Sequence, residues 1–358
     1  MKKLFTILAV AATLVSCAKE DVVSQAAPEA IGFDNTFVEN STRSVETPGY
    51  SSTNLFNDFA VYGFVEGATL FDGVRVAKDI TNTELKHTDG WRYAGTQYWI
   101  TGANYDFYAV APFFAENNYW TIATDATKTD AGTKITFTNT DGTQDLLYSG
   151  IIERQGAESN NTAVAFTFKH ILSKVKFSFK NGYNASAATI CVRDIKITNA
   201  YATGDATLAT TAAATWDNFG GDIDIAFGNA TTVADYKTYV APTDGTTGNL
   251  AEFDYAYNTT VESYYERFVI PASNTWTISF VVDLLVSNQK IKTYNHTATA
   301  TIDFQPGMSY DIAAEITASN IDPEHKQEPI EFTATMTDWT TAEDKTATVD
   351  TIQQGAQN

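Results

Sequence analysis

The stretch TAVAFTFKHILSKVKFSF, residues 162–179, constrains this chain more than any other. Val164, Phe166 and Phe168 fall on even positions, whereas Val175, Phe177 and Phe179 fall on odd ones. Strand side chains alternate between faces, so a slip of one residue sends an apolar set to the opposite face. One uninterrupted strand with a single buried face cannot carry both sets. The phase must reset within His170–Lys174, either at a bulge or where the chain leaves one hydrophobic core for another. Its place near the middle of the chain favours the second option and sets a domain boundary near residue 172.

The same alternation recurs throughout. Ile31, Phe33 and Phe37 share one face of a predicted first strand, Ile31–Val38, with Gly32, Asp34 and Thr36 opposite and Asn35 a polar intruder on the apolar face. That strand stops in the turn-rich run ENSTRSVETPGYSS. Further strands are expected over 59–65, within the aromatic block WRYAGTQYWITGANYDFYAVAPF (91–113), and over 133–149. Asp141-Gly142, between Ile135/Phe137 and Leu146/Leu147, reads as a hairpin turn. In the second half, strands are expected over 188–198, 221–228, 265–271, 274–286, 290–304 and 308–317. PIEFTATMTDW (329–339) then alternates Ile330, Phe332, Ala334 and Met336 before Trp339.

Composition agrees with this pattern. The chain has 22 Phe and 18 Tyr but only 3 Met and 8 Pro, a balance that suits strands. Hydrophobic residues at 44% and charged residues at 18% describe a globular chain. Its length exceeds what one core usually supports. The expectation is an all-β protein of two antiparallel β-sandwiches in tandem, residues 31–172 and 173–358. A net charge of −20 argues against nucleic acid, which requires basic patches.

The first residues have a different character. Lys2 and Lys3 precede an apolar run, Leu4–Leu14, of signal-peptide length and too short to span a bilayer. Leu14-Val15-Ser16-Cys17 resembles a bacterial lipobox, which implies removal of residues 1–16 and acylation of Cys17. Ala18-Lys19-Glu20-Asp21 looks like the acidic signal that sends lipoproteins to the outer face of the outer membrane. Residues 17–30 then read as a lipidated tether, of which 18–30 reach at most about 45 Å when extended. With Cys17 acylated, Cys191 has no internal disulfide partner and is expected to be a small buried hydrophobe.

No chemistry stands out. His87, His170, His296 and His325 are scattered without ligand spacing, and neither a nucleophile elbow nor a phosphate-binding glycine loop is present. No catalytic residue, metal or cofactor is therefore expected. Asn139, Asp141 and Asp145 lack the ligand alternation of a calcium loop, and a turn accounts for them. Trp91, Tyr98, Trp99, Tyr105, Phe107 and Tyr108 admit two readings: an exposed platform for a host glycan, or core filling. Core filling is the expectation, and the exposure of Trp91, Trp99 and Tyr108 decides between them.

In their order, the aromatic block, DLLYS (145–149), FKHILSKVKFSFKN (168–181) and TMTDW (335–339) resemble the fimbrillin-like lipoproteins that build or decorate type V pili. The resemblance implies two transthyretin-like β-sandwiches and assembly by strand exchange. It implies that an arginine-specific protease removes the anchor together with the first strand, and that another pilin subunit's strand, usually C-terminal, refills the groove. Arg43 in the loop NSTRS, with cleavage before Ser44, matches the processing site. Ile31, Phe33 and Phe37 would be displaced, while Ile330, Phe332, Ala334 and Met336 form a candidate donor. Equally, 329–339 reads as the last strand of its own domain. The implied location is the fimbrium at the cell outer membrane, with adhesion as the role.

Overall fold

The computed structural model describes residues 29–34, 37–38, 56–83, 90–113, 119–122, 134–158, 161–183, 188–209, 214–227, 262–263, 266–286, 289–325, 328–338 and 344–345. Cys17, Arg43, Ser44, His87 and Trp339 lie outside them, as does the side chain of Phe37. Among the described residues there are strands and no helix. In chain order they begin with β1 (Phe37–Val38), β2 (Asp58–Val65), β3 (Ala68–Ala77), β4 (Arg92–Tyr93) and β5 (Asn104–Ala111). Next come β6 (Trp120–Ile122), β7 (Lys134–Thr138), β8 (Leu147–Tyr148), β9 (Ile152–Gln155) and β10 (Thr167–His170). The second half holds β11 (Ser173–Asn181), β12 (Thr189–Leu208), β13 (Ala214–Ala226), β14 (Glu262–Ser263) and β15 (Arg267–Val269). Last are β16 (Ser273–Val286), β17 (Gln289–Asp303), β18 (Met308–Ile316), β19 (Phe332–Asp338) and β20 (Asp344–Lys345).

Three sheets result. The first runs β1-β10-β8-β5-β2-β3-β4, with β9 also beside β5. The second runs β14-β11-β18-β19-β20 with β15 beside β11, and the third runs β17-β16-β12-β7-β6 with β13 beside β12. Pairing is mostly antiparallel, but β1 runs parallel to β10, and β11 parallel to β18 from Lys174↔Ser309 to Asn181↔Ile316. The purely antiparallel sandwich expected from sequence is corrected there. Chain neighbours joined by tight turns must pair antiparallel, whereas β11 and β18 are joined by a long excursion through the third sheet and are free to align.

Packing explains the phase slip. Val164, Phe166 and Phe168 point into a core that also holds Phe59, Trp91 and Phe107. Val175, Phe177 and Phe179 belong to a separate core between the second and third sheets, with Ile278, Phe280 and Phe332. Ile171 and Leu172, at the slip itself, enter a third cluster with Tyr62, Tyr108, Tyr148, Phe137 and Phe268. The first sheet is thus covered on both faces: Phe59 and Val61 face one core, Ala60, Tyr62 and Phe64 the other. That is why β2, DFAVYGFV, is apolar almost throughout instead of alternating with polar residues.

Asp141-Gly142 does not join a hairpin. β7 pairs with β6 and β12 in the third sheet, while β8 pairs with β5 and β10 in the first. The turn is a crossing between sheets, tied down where Phe268 N donates to Gly142 O at 2.7 Å and Asn139 Nδ2 to Phe268 O at 3.0 Å. Because β6 and β7 precede residue 172 yet pair in the third sheet, the ladders do not part cleanly at the expected boundary.

Candidate functional site

The expected first strand is the natural place to look for function, because it forms one margin of the first sheet. It is not one regular strand. Its described part, from Glu29, changes partner as it goes. Ala30 bridges Tyr98 antiparallel, Phe33 bridges Val164 parallel, and Phe37–Val38 then pair parallel with Thr167–Phe168. Ile31 N donates to Gln97 O at 2.7 Å and Trp99 N to Glu29 O at 2.9 Å on one side. On the other side Val164 N donates to Gly32 O at 2.7 Å and Asp34 N to Val164 O at 3.0 Å. Residues 29–34 therefore lie in a slot between 97–99 and 161–164.

The slot is lined by rings. Phe33, 1% exposed, meets Phe71 at 5.5 Å and Phe107 at 6.2 Å between ring centroids, both edge-on. It stacks on Phe166 at 5.7 Å and tilts against Tyr93 at 5.6 Å. Such edge-on and offset contacts are the favourable geometries for aromatic pairs. Ile31 is fully buried beside them. Gly63 in β2 makes room for this floor: a Cβ there would come within 2.7 Å of Phe71 and 2.8 Å of Phe107.

Polar groups fix the position of the segment along the slot. The Tyr93 hydroxyl donates to Ile31 O at 2.9 Å and accepts from Gln97 N at 3.1 Å. Burial pushes the Tyr93 phenol up to about 12, against a smaller opposing effect of the Gln97 amide, so it stays protonated and remains a donor. Glu29 is held where Asn161 donates to Oε2 from its backbone N at 2.6 Å and from Nδ2 at 2.8 Å. Neither Tyr93 nor Asn161 could be singled out from sequence, because each acts on a strand far away in the chain.

The C-terminal candidate is differently placed. β19 pairs antiparallel with β18 from Met308↔Asp338 to Ala314↔Phe332, inside its own sheet. Ile330, Phe332 and Ala334 are buried in the core between the second and third sheets, and Met336 packs against it. Among the described residues beyond β19, β20 pairs with Met336 and Thr337.

The aromatic block forms no exposed platform. Trp91 is 1%, Trp99 7% and Tyr108 1% exposed, so these rings are core, and of the six only Tyr98 stands out at 42%. Asn139 and Asp145 are buried and engaged: Asn139 caps its turn, and Asp145 lies 2.9 Å from His170 Nδ1. Asp141 accepts from Thr143 N at 2.9 Å, so each of the three residues is engaged in the crossing.

Comparison with known proteins agrees with the fold. The family model described as fimbrillin-like matches residues 42–339, most of the chain. A crystal structure of a fimbrial protein from Bacteroides vulgatus is 15% identical with a TM-score of 0.51, covering 87% of this chain and 99% of its own. A fimbrial assembly protein from Parabacteroides distasonis is 12% identical with a TM-score of 0.45, covering 90% and 99%. No curated protein sequence matches. By the extent of the family match, this chain belongs to the fimbrillin-like family.

Proposed function

We propose that this protein is a structural subunit of a cell-surface pilus, exported as a lipoprotein on Cys17 and assembled by strand exchange after cleavage following Arg43. Its family makes it a pilus-type or adhesion protein. Cleavage before Ser44 frees the segment that carries Ile31, Phe33 and Phe37 from the rest of the chain. The observation that carries the reading is the seating of residues 29–34 and 37–38: a sheet margin from the chain's first part, plugged by Ile31 and Phe33. Losing it uncovers two apolar anchors, each worth about 1.5–3 kcal/mol of burial. The same loss strips hydrogen-bond partners from Gln97 O, Trp99 N and both backbone groups of Val164. A strand from a neighbouring subunit answers both needs at once.

The test is digestion of lipobox-processed protein with an arginine-specific protease, read as a ladder of oligomers on denaturing gels without boiling. An Arg43→Ala chain that assembles as well as the parent would refute the mechanism.

A further inference from the structure

If the groove exchanges strands, its shape also specifies which strand it takes. The resident triplet Ile31-Gly32-Phe33 is buried at all three positions. Alternation turns residue 32 away from the core that receives 31 and 33, toward what is usually solvent. Gly32 is nevertheless buried, so a charged side chain there would be held away from water. The Tyr93 hydroxyl sets the register by donating to the carbonyl of the aliphatic position. Direction follows from the Phe33–Val164 bridge, which is parallel.

The chain's own C-terminal strand offers Ile330-Glu331-Phe332, the same aliphatic-to-aromatic spacing. In its home sheet Glu331 is exposed. Seated in the groove in that register, its carboxylate would take the place of Gly32, and burying an unpaired charge is costly. Sliding by two residues puts Phe332 and Ala334 where Ile31 and Phe33 sit, and sliding by four puts Ala334 and Met336 there; neither offers a ring at the Phe33 position, which leaves the aromatic floor underfilled. Sliding by one turns Glu331 and Thr333 inward. No register of 329–339 suits the slot.

We infer that this groove selects an aliphatic–small–aromatic triplet and so takes its strand from a chain other than a copy of itself donating residues 329–339. This rests on the strand-exchange reading. The test is a competition on the mature chain cut at Arg43, with fluorescent peptides. The probes are PEAIGFDNTFV (residues 28–38), its Gly32→Glu form, EPIEFTATMTD (residues 328–338), and its Glu331→Gly form. The first peptide should bind, and Gly32→Glu should weaken it by about tenfold or more. The second should bind at least as poorly, and Glu331→Gly should recover about tenfold. Equal binding of the two parent peptides, or indifference to the glutamate in either, overturns the inference. Failure of PEAIGFDNTFV itself to bind rejects the strand-exchange reading, and the selectivity with it.

Discussion

Phe33→Ala is the sharpest probe of whether the first segment is a detachable part. The ring is 1% exposed and touches Phe71, Tyr93, Phe107 and Phe166, so its loss removes a plug from a rigid aromatic floor. Truncations of this kind cost about 3–5 kcal/mol when the site cannot collapse, and Gly63, already crowded by Phe71 and Phe107, limits collapse here. In an uncleaved chain this energy should fall on local opening, because residues 29–34 are bound by a few hydrogen bonds at a sheet margin. The assay is hydrogen exchange resolved by residue. Amides of Ile31, Asp34, Trp99 and Val164 should lose protection by a factor of about a hundred or more. Ile278 and Val282 in β16 should keep theirs. Parallel loss of protection in β16 would show that the segment is integral to global stability, and the detachable-part argument would fail.

Other expectations follow from the same contacts. Tyr93→Phe leaves Ile31 O and Gln97 N without their shared partner and should lower unfolding stability by about 1–3 kcal/mol, measured by denaturant titration. Gly63→Ala forces two rings apart and should cost about 1–3 kcal/mol by overpacking, a loss that Phe71→Leu in the same chain should partly relieve in thermal melts. Burial opposes ionisation of Asp283, but hydrogen bonds from Arg193 and Thr293 outweigh it and hold the carboxyl below its usual value. A depressed carboxyl stabilises the fold above its unfolded pKa, near about 3.9, and that contribution disappears as pH falls through the folded value. Denaturation midpoints should therefore drop below about pH 4, and Asp283→Asn should flatten that drop; an unchanged acid limb in Asp283→Asn would contradict the assignment.

Much of the fold was legible because alternation is a direct record of burial. β16, β17, β18 and β19 lie within a few residues of their expected limits, each with one face on a shared core. The slip between Phe168 and Val175 correctly marked a change of core. Misreadings occurred where a strand's surroundings are not one-sided. β3 went unseen because ATLFDGVRVA is half-exposed and interrupted by Gly73, which has a positive φ. The far half of β12 was missed because Ala202, Gly204 and Ala206 are too small to announce a face; Gly204 leaves room for Trp216 and Phe219. The Asp141-Gly142 turn was real, but a turn carries no information about which sheets its two flanks join. Of the slot, sequence indicated that Ile31 and Phe33 share an apolar face, and both are buried. It could not indicate Tyr93, Gln97 or Asn161, whose roles exist only after distant segments meet.

β12 has a mechanical consequence. Over Thr189–Thr198 it is laddered to β16, and over Thr203–Thr207 to β7, a strand that precedes the mid-chain crossing. One backbone thus runs from one half of the molecule into the other without a loop between. A tug along that backbone loads the rungs of both ladders together in shear, so they must yield collectively, not one after another as when a zipper is opened from its end.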